Sequence, residues 1–211
     1  MRNPWLSIPL SDYEGHMSSE TVRQLDALSE LFGHALAYCR PESIAIVGVA
    51  GGNGLDRIDH AITKRIVGLD INPSYLDAVR QRHSALPGLE LHCADLARQT
   101  LNLPPVRLVH VALVLEHAGL GQCLENALSL VDSGGHFSVV LQLPTEVEQG
   151  VGTSPYSSIQ ALRRHFTLID PAQFREALES RGFRLERQEK HSLASGKAFW
   201  MGIFASSPTS R

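Results

Sequence analysis

The feature that most constrains this chain is a short apolar run that ends in a cluster of glycines. It occupies residues 43–58, SIAIVGVAGGNGLDRI, and its glycines are Gly48, Gly51, Gly52 and Gly54. A continuous apolar run of strand length is typical of a strand that is buried on both faces, as in a parallel sheet. Glycines permit positive φ and let a ligand approach the backbone closely. The stretch therefore predicts a buried strand followed by a turn that binds a phosphate-bearing or nucleoside-bearing ligand.

Similar apolar runs recur along the chain and alternate with amphipathic stretches. The further strand-like runs are RIVGLDI, LELHCADL, VRLVHVALV and HFSVVLQLP. The helix-like stretches include SSETVRQLDALSELFGHALAYCR, NGLDRIDHAI, SYLDAVRQRHSAL and GLGQCLENALSLV. This alternation predicts a doubly wound α/β sheet with helices on both faces. Ser18 or Ser19 can cap the first of these helices, and SGG predicts a turn before the fifth strand.

The end of the chain departs from this repetition. After the amphipathic stretch DPAQFREALESRGF, two strand-like runs, FRLERQEKHSL and KAFWMGIFAS, are joined by ASG. Because so short a turn can join only antiparallel strands, these runs predict a hairpin. The predicted fold class is α/β, with a Rossmann-like, doubly wound, seven-stranded sheet that is mostly parallel and has a C-terminal antiparallel hairpin.

Length and composition limit the classes of protein to consider. The 211 residues suffice for one domain with a small extension. We expect an N-terminal cap and helix at 1–40, the main domain at 41–205 and a tail at 206–211. The net charge of −3 gives no electrostatic footprint for nucleic acid, and the three cysteines form no metal-site or CxxC pattern. Because the chain also lacks an apolar signal core and a membrane-length apolar run, we expect a cytoplasmic protein with no metal, membrane or nucleic-acid partner.

A carboxylate lies at the end of the second predicted strand, at a spacing in sequence from the glycine turn that is typical of nucleotide-binding folds. The strand ends in GLDIN, which places Asp70 twenty-two residues after Gly48. This fits the spacing of about 20 residues at which nucleotide-binding α/β folds place a carboxylate that binds ribose hydroxyls. The turn and the carboxylate together predict a ribose-bearing cofactor. The alternative is that Asp70 only caps the helix that follows it.

Two classes of cofactor compete for this turn. The dinucleotide fingerprint GxGxxG needs glycines where this chain has Ala50 and Asn53. A looser GxxGxxG spacing is present, as in some short-chain dehydrogenases, but none of the four tyrosines has the lysine four residues later that those enzymes use. A nucleotide-dependent oxidoreductase is therefore one alternative function. A non-catalytic module that only binds the cofactor is another.

Five stretches in order resemble the motifs of the class I S-adenosylmethionine-dependent methyltransferases of the small-molecule type. They are IVGVAGGNGL, RIVGLDINPSYLDAVRQR, LELHCADL, VRLVHVALVLEH and LSLVDSGGHFSVVL. The resemblance implies S-adenosyl-L-methionine as the cofactor and methyl transfer to a small-molecule acceptor. Nucleic-acid methylation commonly uses an Asp/Asn-Pro-Pro-aromatic tetrapeptide, and ALVLEH stands in its place. The acceptor atom and the oligomeric state stay open.

The resemblance also implies which residues bind the cofactor. They are Gly48, Ala50, Gly51, Gly52, Asp70, Ile71, Asp95, Leu96 and Ala112. Asp95 would face the adenine amine, with a helix cap as the alternative. Ile71 and Leu96 would sandwich the adenine ring, with packing into the core as the alternative. The chain departs from the family pattern at Ile46, where an acidic residue is usual, and at His110, where many relatives carry Asp.

Catalytic residues are harder to assign, because methyl transfer needs a general base only if the acceptor must lose a proton early. Otherwise it suffices to align the acceptor with the methyl group and to exclude water. The candidates for a base or a lid are His117, His16 and Tyr13, and each has a purely structural role as its alternative.

The segment after the fifth strand is where the family builds its acceptor pocket. Tyr156, Ser157 and His165 are the candidates that this resemblance implies. The pair Arg163–Arg164 predicts a solvated helix face, with an anionic substrate as the alternative partner.

Overall fold

The computed structural model describes residues 3–19, 22–144 and 154–207. The strands are β1 (Ser43–Val47), β2 (Arg65–Asp70), β3 (Leu89–Cys93), β4 (Val106–Ala112), β5 (Val131–Gln142), β6 (Phe183–Ser192) and β7 (Ala198–Ser206). The helices are α1 (Leu10–Ser18), α2 (Gln24–Cys39), α3 (Pro73–Arg82), α4 (Leu115–Ala118), α5 (Gln122–Ser129), α6 (Ser157–Gln160) and α7 (Pro171–Glu179). Short 3₁₀ helices lie at Pro4–Ser7, Leu55–Arg57 and Ala161–His165. Within the three described ranges, no helix is long and apolar enough to cross a membrane.

The strands form one seven-stranded sheet in the order β3-β2-β1-β4-β5-β7-β6. The first five strands are parallel, whereas β7 lies antiparallel between β5 and β6. The strand order reverses at β1, because Val47 pairs with Leu69 of β2 on one side and with Val111 of β4 on the other. The predicted Rossmann-like sheet with its C-terminal hairpin is therefore confirmed. In such sheets, ligands bind at this reversal, outside the carboxyl ends of the strands.

Alternate residues of the central strands face two helical layers. Ala45 and Val47 belong to an apolar cluster that they share with α5 and α7. Ile44 and Ile46 belong to a second cluster, shared with α2 and α3. The first strand is thus buried on both faces, which explains why its sequence is apolar without alternation.

The segment after the glycine turn differs from the prediction. The sequence predicts a helix over NGLDRIDHAI, but the structure has only the 3₁₀ helix Leu55–Arg57. Ile58 then adopts an extended conformation, and the Asp59 carboxylate accepts a hydrogen bond from Ala61 N at 2.8 Å. Such local side-chain bonds compete with helix formation. Phe32 of α2 packs in one apolar cluster with Leu55 and Ile58 of this segment.

The N-terminal region contains two helices where the sequence predicts a cap and one helix. α1 lies within the predicted cap, and α2 begins directly after Arg23, which has a left-handed conformation and no side-chain cap bond. The predicted capping of α2 by Ser18 or Ser19 is therefore wrong. These serines lie at the end of α1, where Ser19 Oγ donates to His16 O at 2.8 Å.

β5 begins five residues earlier than predicted, at Val131 and not at His136. The predicted SGG turn lies inside the strand as an irregularity. There Gly134 has a φ of +67°, and the pairing with β4 shifts between Val106 and Leu108.

Candidate functional site

A cavity of about 310 Å³ lies at the carboxyl ends of β1, β2 and β4, where the strand order reverses. One side is formed by residues at or just after strand ends, among them Gly48, Asp70 and Ala112. The other side is formed by residues 3–19, which we call the N-terminal cap, and by residues 159–166, in the segment after β5. These covering residues are Asn3, Trp5, Tyr13, His16, Met17, Ile159, Leu162 and Phe166.

The turn after β1 presents an almost bare backbone to the cavity. Gly48 has a φ of +76°, and a Cβ built on it would lie 2.5 Å from Cγ2 of Val114. Ala50 also has a positive φ, +46°, which is uncommon for a residue with a side chain. Both residues line the cavity. Glycine is thus required at position 48 for two separate reasons, the backbone conformation and the available space.

Gly51 and Gly52 lie on the outer side of the same turn. They line a second cavity of about 260 Å³ and not the first. A Cβ on Gly52 would lie 2.7 Å from the His83 ring, and one on Gly51 would meet the Glu14 carboxylate. Glu14 pairs there with Arg82, whose Nη1 also donates to Gly51 O at 3.2 Å. Gly51 therefore lies against the N-terminal cap and Gly52 against His83, and their contact with a cofactor stays a prediction.

The Asp70 carboxylate is buried against the cavity, with 8% of its surface exposed. Its Oδ2 accepts a hydrogen bond from Ala50 N at 2.9 Å, and its Oδ1 accepts one from Asn72 N at 2.8 Å. Burial raises the pKa of this carboxyl to about 6, and the backbone N–H donors act in the opposite direction. At neutral pH the group is ionised, and each oxygen keeps a lone pair for a further donor.

The residue that caps the following helix is Asn72 and not Asp70. Asn72 Oδ1 accepts a hydrogen bond from Ser74 N at 3.0 Å, and Pro73 occupies the first turn of α3. The helix-cap alternative for Asp70 is therefore wrong. Its side chain can accept two hydroxyl donors from a ligand in the cavity.

Three of the residues predicted to bind adenine line the cavity. Asp95 Oδ1 accepts a hydrogen bond from Ala97 N at 3.0 Å, so this carboxylate does stabilise a local turn, as its alternative predicts. Leu96 is also part of the core, whereas Ile71 is only half-buried. The structure brings these side chains to one end of the cavity, and their contact with adenine stays a prediction.

The turn after β4 contains strain that the sequence does not reveal. Leu113, which follows the cavity-lining Ala112, has a φ of +55° and donates from its backbone N to Val140 O at 3.0 Å. A leucine in this conformation costs free energy, and such strain is found most often at functional sites. No glycine or asparagine marks the position, so the sequence offers no signal for it.

His117 lies at the end of α4 between two aromatic rings. Its ring centroid is 5.0 Å from that of Trp5 and 5.1 Å from that of Phe166, both in edge-on geometry. Nδ1 is buried and has no hydrogen-bond partner among the described residues. Burial, with a smaller effect of His165, lowers the pKa of His117 to about 4. The imidazole is therefore neutral at pH 7 and can accept a proton.

The two other predicted catalytic residues come from α1 and line the same cavity. His16 is buried, and the pKa of the Tyr13 phenol is raised by burial, by Asp70 and by Glu14. Tyr13 therefore stays protonated and can act as a donor. Sequence reasoning missed Tyr75, whose ring centroid is 6.2 Å from that of Tyr13 and whose buried hydroxyl has no partner among the described residues.

The predicted acceptor-pocket residues do not line the cavity. Tyr156 packs against Gly15 of α1, Ser157 begins α6, and His165 is exposed. The residues that do line the cavity in this segment are Ile159, Leu162 and Phe166. The prediction is wrong because it chose polar residues, whereas apolar residues three and four positions apart share the buried face. Arg163 and Arg164 are exposed, as expected of a solvated face.

Buried polar groups also lie in or beside the cavity, and sequence reasoning missed three that line it. Gln24, Gln142 and Lys197 line the cavity with no more than 6% of their surface exposed. Glu116 lies beside the cavity without lining it, and its Oε1 accepts a hydrogen bond from Gln142 N at 2.9 Å. His110 has a similar structural role, with Nδ1 at 3.1 Å from Ser138 Oγ. These groups come from distant parts of the chain, which is why no local pattern marks them.

The fold is similar to that of several solved structures at low sequence identity. The N-methyltransferase NodS from Bradyrhizobium japonicum WM9, in complex with S-adenosyl-L-homocysteine, has a TM-score of 0.69 and 13% identity over 97% of this chain and 99% of that chain. Magnesium protoporphyrin IX methyltransferase (ChlM) from Synechocystis PCC 6803, with the same compound bound, has a TM-score of 0.72 and 13% identity over 98% of each chain. The (4+2)-cyclase SpnF has a TM-score of 0.67 and 12% identity over 89% of this chain and 83% of that chain.

By sequence alone, no protein-family model matches the chain, and no curated protein matches it either. The structural similarity nevertheless covers almost the whole chain and includes both the parallel strands and the terminal hairpin. The chain has the fold of the class I S-adenosylmethionine-dependent methyltransferases.

Proposed function

We propose that the chain is an S-adenosylmethionine-dependent methyltransferase that transfers a methyl group to a small-molecule acceptor. The observation that carries this proposal is the pairing of the bare turn at Gly48 with the buried carboxylate of Asp70 in one cavity. A ligand with a ribose can approach that backbone closely while its two hydroxyls donate to the carboxylate. Residues 41–205 would then be the methyltransferase domain, and residues 1–40 would cover it.

The residues at this end of the cavity fit the cofactor. Asp70 accepts a backbone bond from Ala50 N on Oδ2 and one from Asn72 N on Oδ1, and each oxygen retains a lone pair for the ribose hydroxyls. Gly48 and Ala50 would face the cofactor with backbone, and Ile71 and Leu96 would pack against adenine. When bound, the cofactor supplies a sulfonium whose methyl group is open to displacement by a nucleophile. Similar folds solved with S-adenosyl-L-homocysteine or S-adenosylmethionine bound support this choice.

The chain's own contribution to methyl transfer is alignment and the exclusion of water. Trp5, Leu162 and Phe166 cover the cavity with apolar surface, which removes solvent from the reacting groups. The acceptor is held next to the strand ends, so that transfer takes place within one bound complex. A cavity of about 310 Å³ has the size of a small-molecule site.

His117 is our candidate for the residue in this cavity that takes a proton from the acceptor, although its lowered pKa makes it a weaker base than an ordinary imidazole. It is neutral at pH 7, and its Nδ1 has no other partner among the described residues. A hydroxyl acceptor that binds beside it would lose its proton to the imidazole as the new bond forms, whereas an ammonium would have to lose its proton first, because its nitrogen has no free lone pair. Acceptors that are already nucleophilic do not need this step.

Two measurements test the proposal together. Isothermal titration with S-adenosyl-L-homocysteine is expected to give saturable binding, and titration with NADH or NADPH is expected to give none. The reverse result would favour a nucleotide-dependent oxidoreductase. Because one protein with a similar fold is named a cyclase, binding alone does not establish transfer. Methyl-labelled cofactor and a panel of small phenols, amines and carboxylic acids should yield a labelled product, and binding without any product would favour a non-catalytic module.

A further inference from the structure

We propose that Asn72 is a positioning residue that fixes the N-terminal cap over the cofactor cavity and orients the carboxylate of Asp70 from the same position. The inference deepens the proposed function, because it assigns to this site the residue that closes it. Asn72 is buried, with 4% of its surface exposed, and it lies in the turn between β2 and α3.

The side-chain amide of Asn72 binds two elements at once. Its Nδ2 donates to Trp5 O at 2.9 Å and, over a longer distance of 3.4 Å, to Ile8 O, both in the N-terminal cap. Its Oδ1 accepts from Ser74 N at 3.0 Å and so caps α3. An amide is the side chain of this size that can donate on one side and accept on the other. Aspartate would cap α3 equally well, but it has no N–H group to donate to the N-terminal cap.

The backbone of Asn72 connects these contacts to the predicted ribose site. Its N–H donates to Asp70 Oδ1 at 2.8 Å, while its carbonyl accepts from Tyr75 N at 3.1 Å in the first turn of α3. One buried residue therefore holds both the Asp70 carboxylate and the N-terminal cap in position. A shift of the cap that pulls on the Asn72 side chain would also disturb the donor to Asp70.

The residues held by Asn72 are those that cover the cavity. The Trp5 ring contacts His117 at 5.0 Å and Tyr13 at 5.8 Å between ring centroids. Ile8 is buried in a cluster with Ile159, on the segment after β5. One amide thus anchors the covering side chains from both segments, directly or through their packing.

Two other polar contacts that hold the N-terminal cap lie in more exposed surroundings. Glu14 pairs with Arg82, and Asp12 Oδ2 accepts a bond from Ser158 Oγ at 2.6 Å, but these side chains are partly exposed. Exposed ion pairs contribute little, because water and salt compete with them. A buried amide that loses its partners is costly, so the closed cap depends more on Asn72 than on either of these two contacts.

The test uses Asn72→Ser and Asn72→Asp in the full chain. Both variants keep an oxygen that can cap α3, and both lose the donor that reaches the cap. The matched control is Asp170→Ser, because Asp170 caps α7 by accepting from Ala172 N at 2.9 Å and is also followed by a proline. Like the Asn72 variants, this control alters the residue at the start of a helix. Asp170, however, does not bond to the N-terminal cap.

The reporter is Trp5 itself. The chain has two tryptophans, and a Trp200→Phe background leaves Trp5 as the only one. Collisional quenching by acrylamide then measures how far Trp5 is shielded from solvent in the absence of any ligand. Stopped-flow measurement of the dissociation rate of S-adenosyl-L-homocysteine shows whether the closed cap retains the compound.

Both Asn72 variants are expected to increase quenching of Trp5. They should also lower the affinity for S-adenosyl-L-homocysteine about tenfold, mainly through faster dissociation. Asp170→Ser is expected to lower thermal stability about as much as the Asn72 variants do. It should leave the quenching of Trp5 and the affinity for S-adenosyl-L-homocysteine unchanged. Unchanged quenching in the Asn72 variants, or an equal change in the control, would overturn the inference, as would a failure of both variants to fold. If the unmodified chain does not bind the compound at all, the proposed function fails, while the quenching experiment still decides the role of Asn72.

Discussion

The buried carboxyl of Glu116 makes a sharp prediction about stability and pH. Its Oε1 accepts one hydrogen bond from Gln142 N, and its Oε2 is buried without a partner among the described residues. Burial raises the pKa of this group from its ordinary 4.5 to about 7. Because the folded chain keeps a proton that the unfolded chain loses, increasing pH destabilises the fold across this interval.

The magnitude follows from the size of the shift. One pKa unit corresponds to about 1.4 kcal/mol, so a change from 4.5 to about 7 corresponds to about 3 kcal/mol. This contribution is fully present below pH 4.5 and is lost once the pH exceeds 7. The variant Glu116→Gln keeps the acceptor for Gln142 N but has no proton to lose. Relative to the unmodified chain, it should therefore gain about 3 kcal/mol in free energy of unfolding between pH 4.5 and pH 8.

Urea unfolding followed by far-ultraviolet circular dichroism at pH 5, 6, 7 and 8 measures this difference, provided that the transitions are two-state. Other titrating groups are common to both proteins and cancel in the comparison. The control is Glu176→Gln, which removes an exposed carboxylate on α7. The reasoning is refuted if the advantage of Glu116→Gln does not grow with pH, or if Glu176→Gln gives the same growth.

Three further substitutions address the cavity itself. Asp70→Asn should lower the affinity for S-adenosyl-L-homocysteine about 10- to 100-fold at pH 8, as measured by titration calorimetry. The affinity of the unmodified chain, but not that of the variant, should fall as the pH decreases through about 6. Gly48→Ala should destabilise the fold by about 1–3 kcal/mol in urea unfolding, since its Cβ would meet Val114, and Val114→Ala should restore part of that loss. His117→Gln should lower kcat about 100-fold for a hydroxyl acceptor while the affinity for S-adenosyl-L-homocysteine stays within about twofold; an equal loss of both would contradict the assignment of His117 as a base.

The sheet and the cofactor end of the cavity were predictable because their signals are local in sequence. The apolar run before Gly48 and the carboxylate at the end of the next strand belong to one βαβ unit, and parallel pairing brings strand ends together. The helix predicted over NGLDRIDHAI is absent: the chain is extended at Ile58, and the Asp59 carboxylate accepts a local bond from Ala61 N that competes with a weak helical pattern. Amphipathic spacing over so few residues says little about which local bonds will form.

The covering side of the cavity could not be predicted, because it is assembled from distant segments. Asn72 and Trp5 are 67 residues apart in sequence, and Asp12 and Ser158 are 146 apart. No pattern in either segment marks such a contact. The strained φ of Leu113 is likewise imposed by its neighbours in the fold and not by its own residue type.

The two buried carboxyls at the carboxyl ends of strands show how the surroundings separate a binding group from a structural one. Asp70 accepts backbone bonds on both oxygens, lines the cavity and is ionised at neutral pH. Glu116 accepts a bond on one oxygen, lies outside the cavity and has a pKa near neutrality. Burial alone would mark both residues as functional. Because a ligand hydroxyl needs an acceptor that it can reach, only Asp70 is placed to bind one, whereas Glu116 is suited to hold the end of β5 in place.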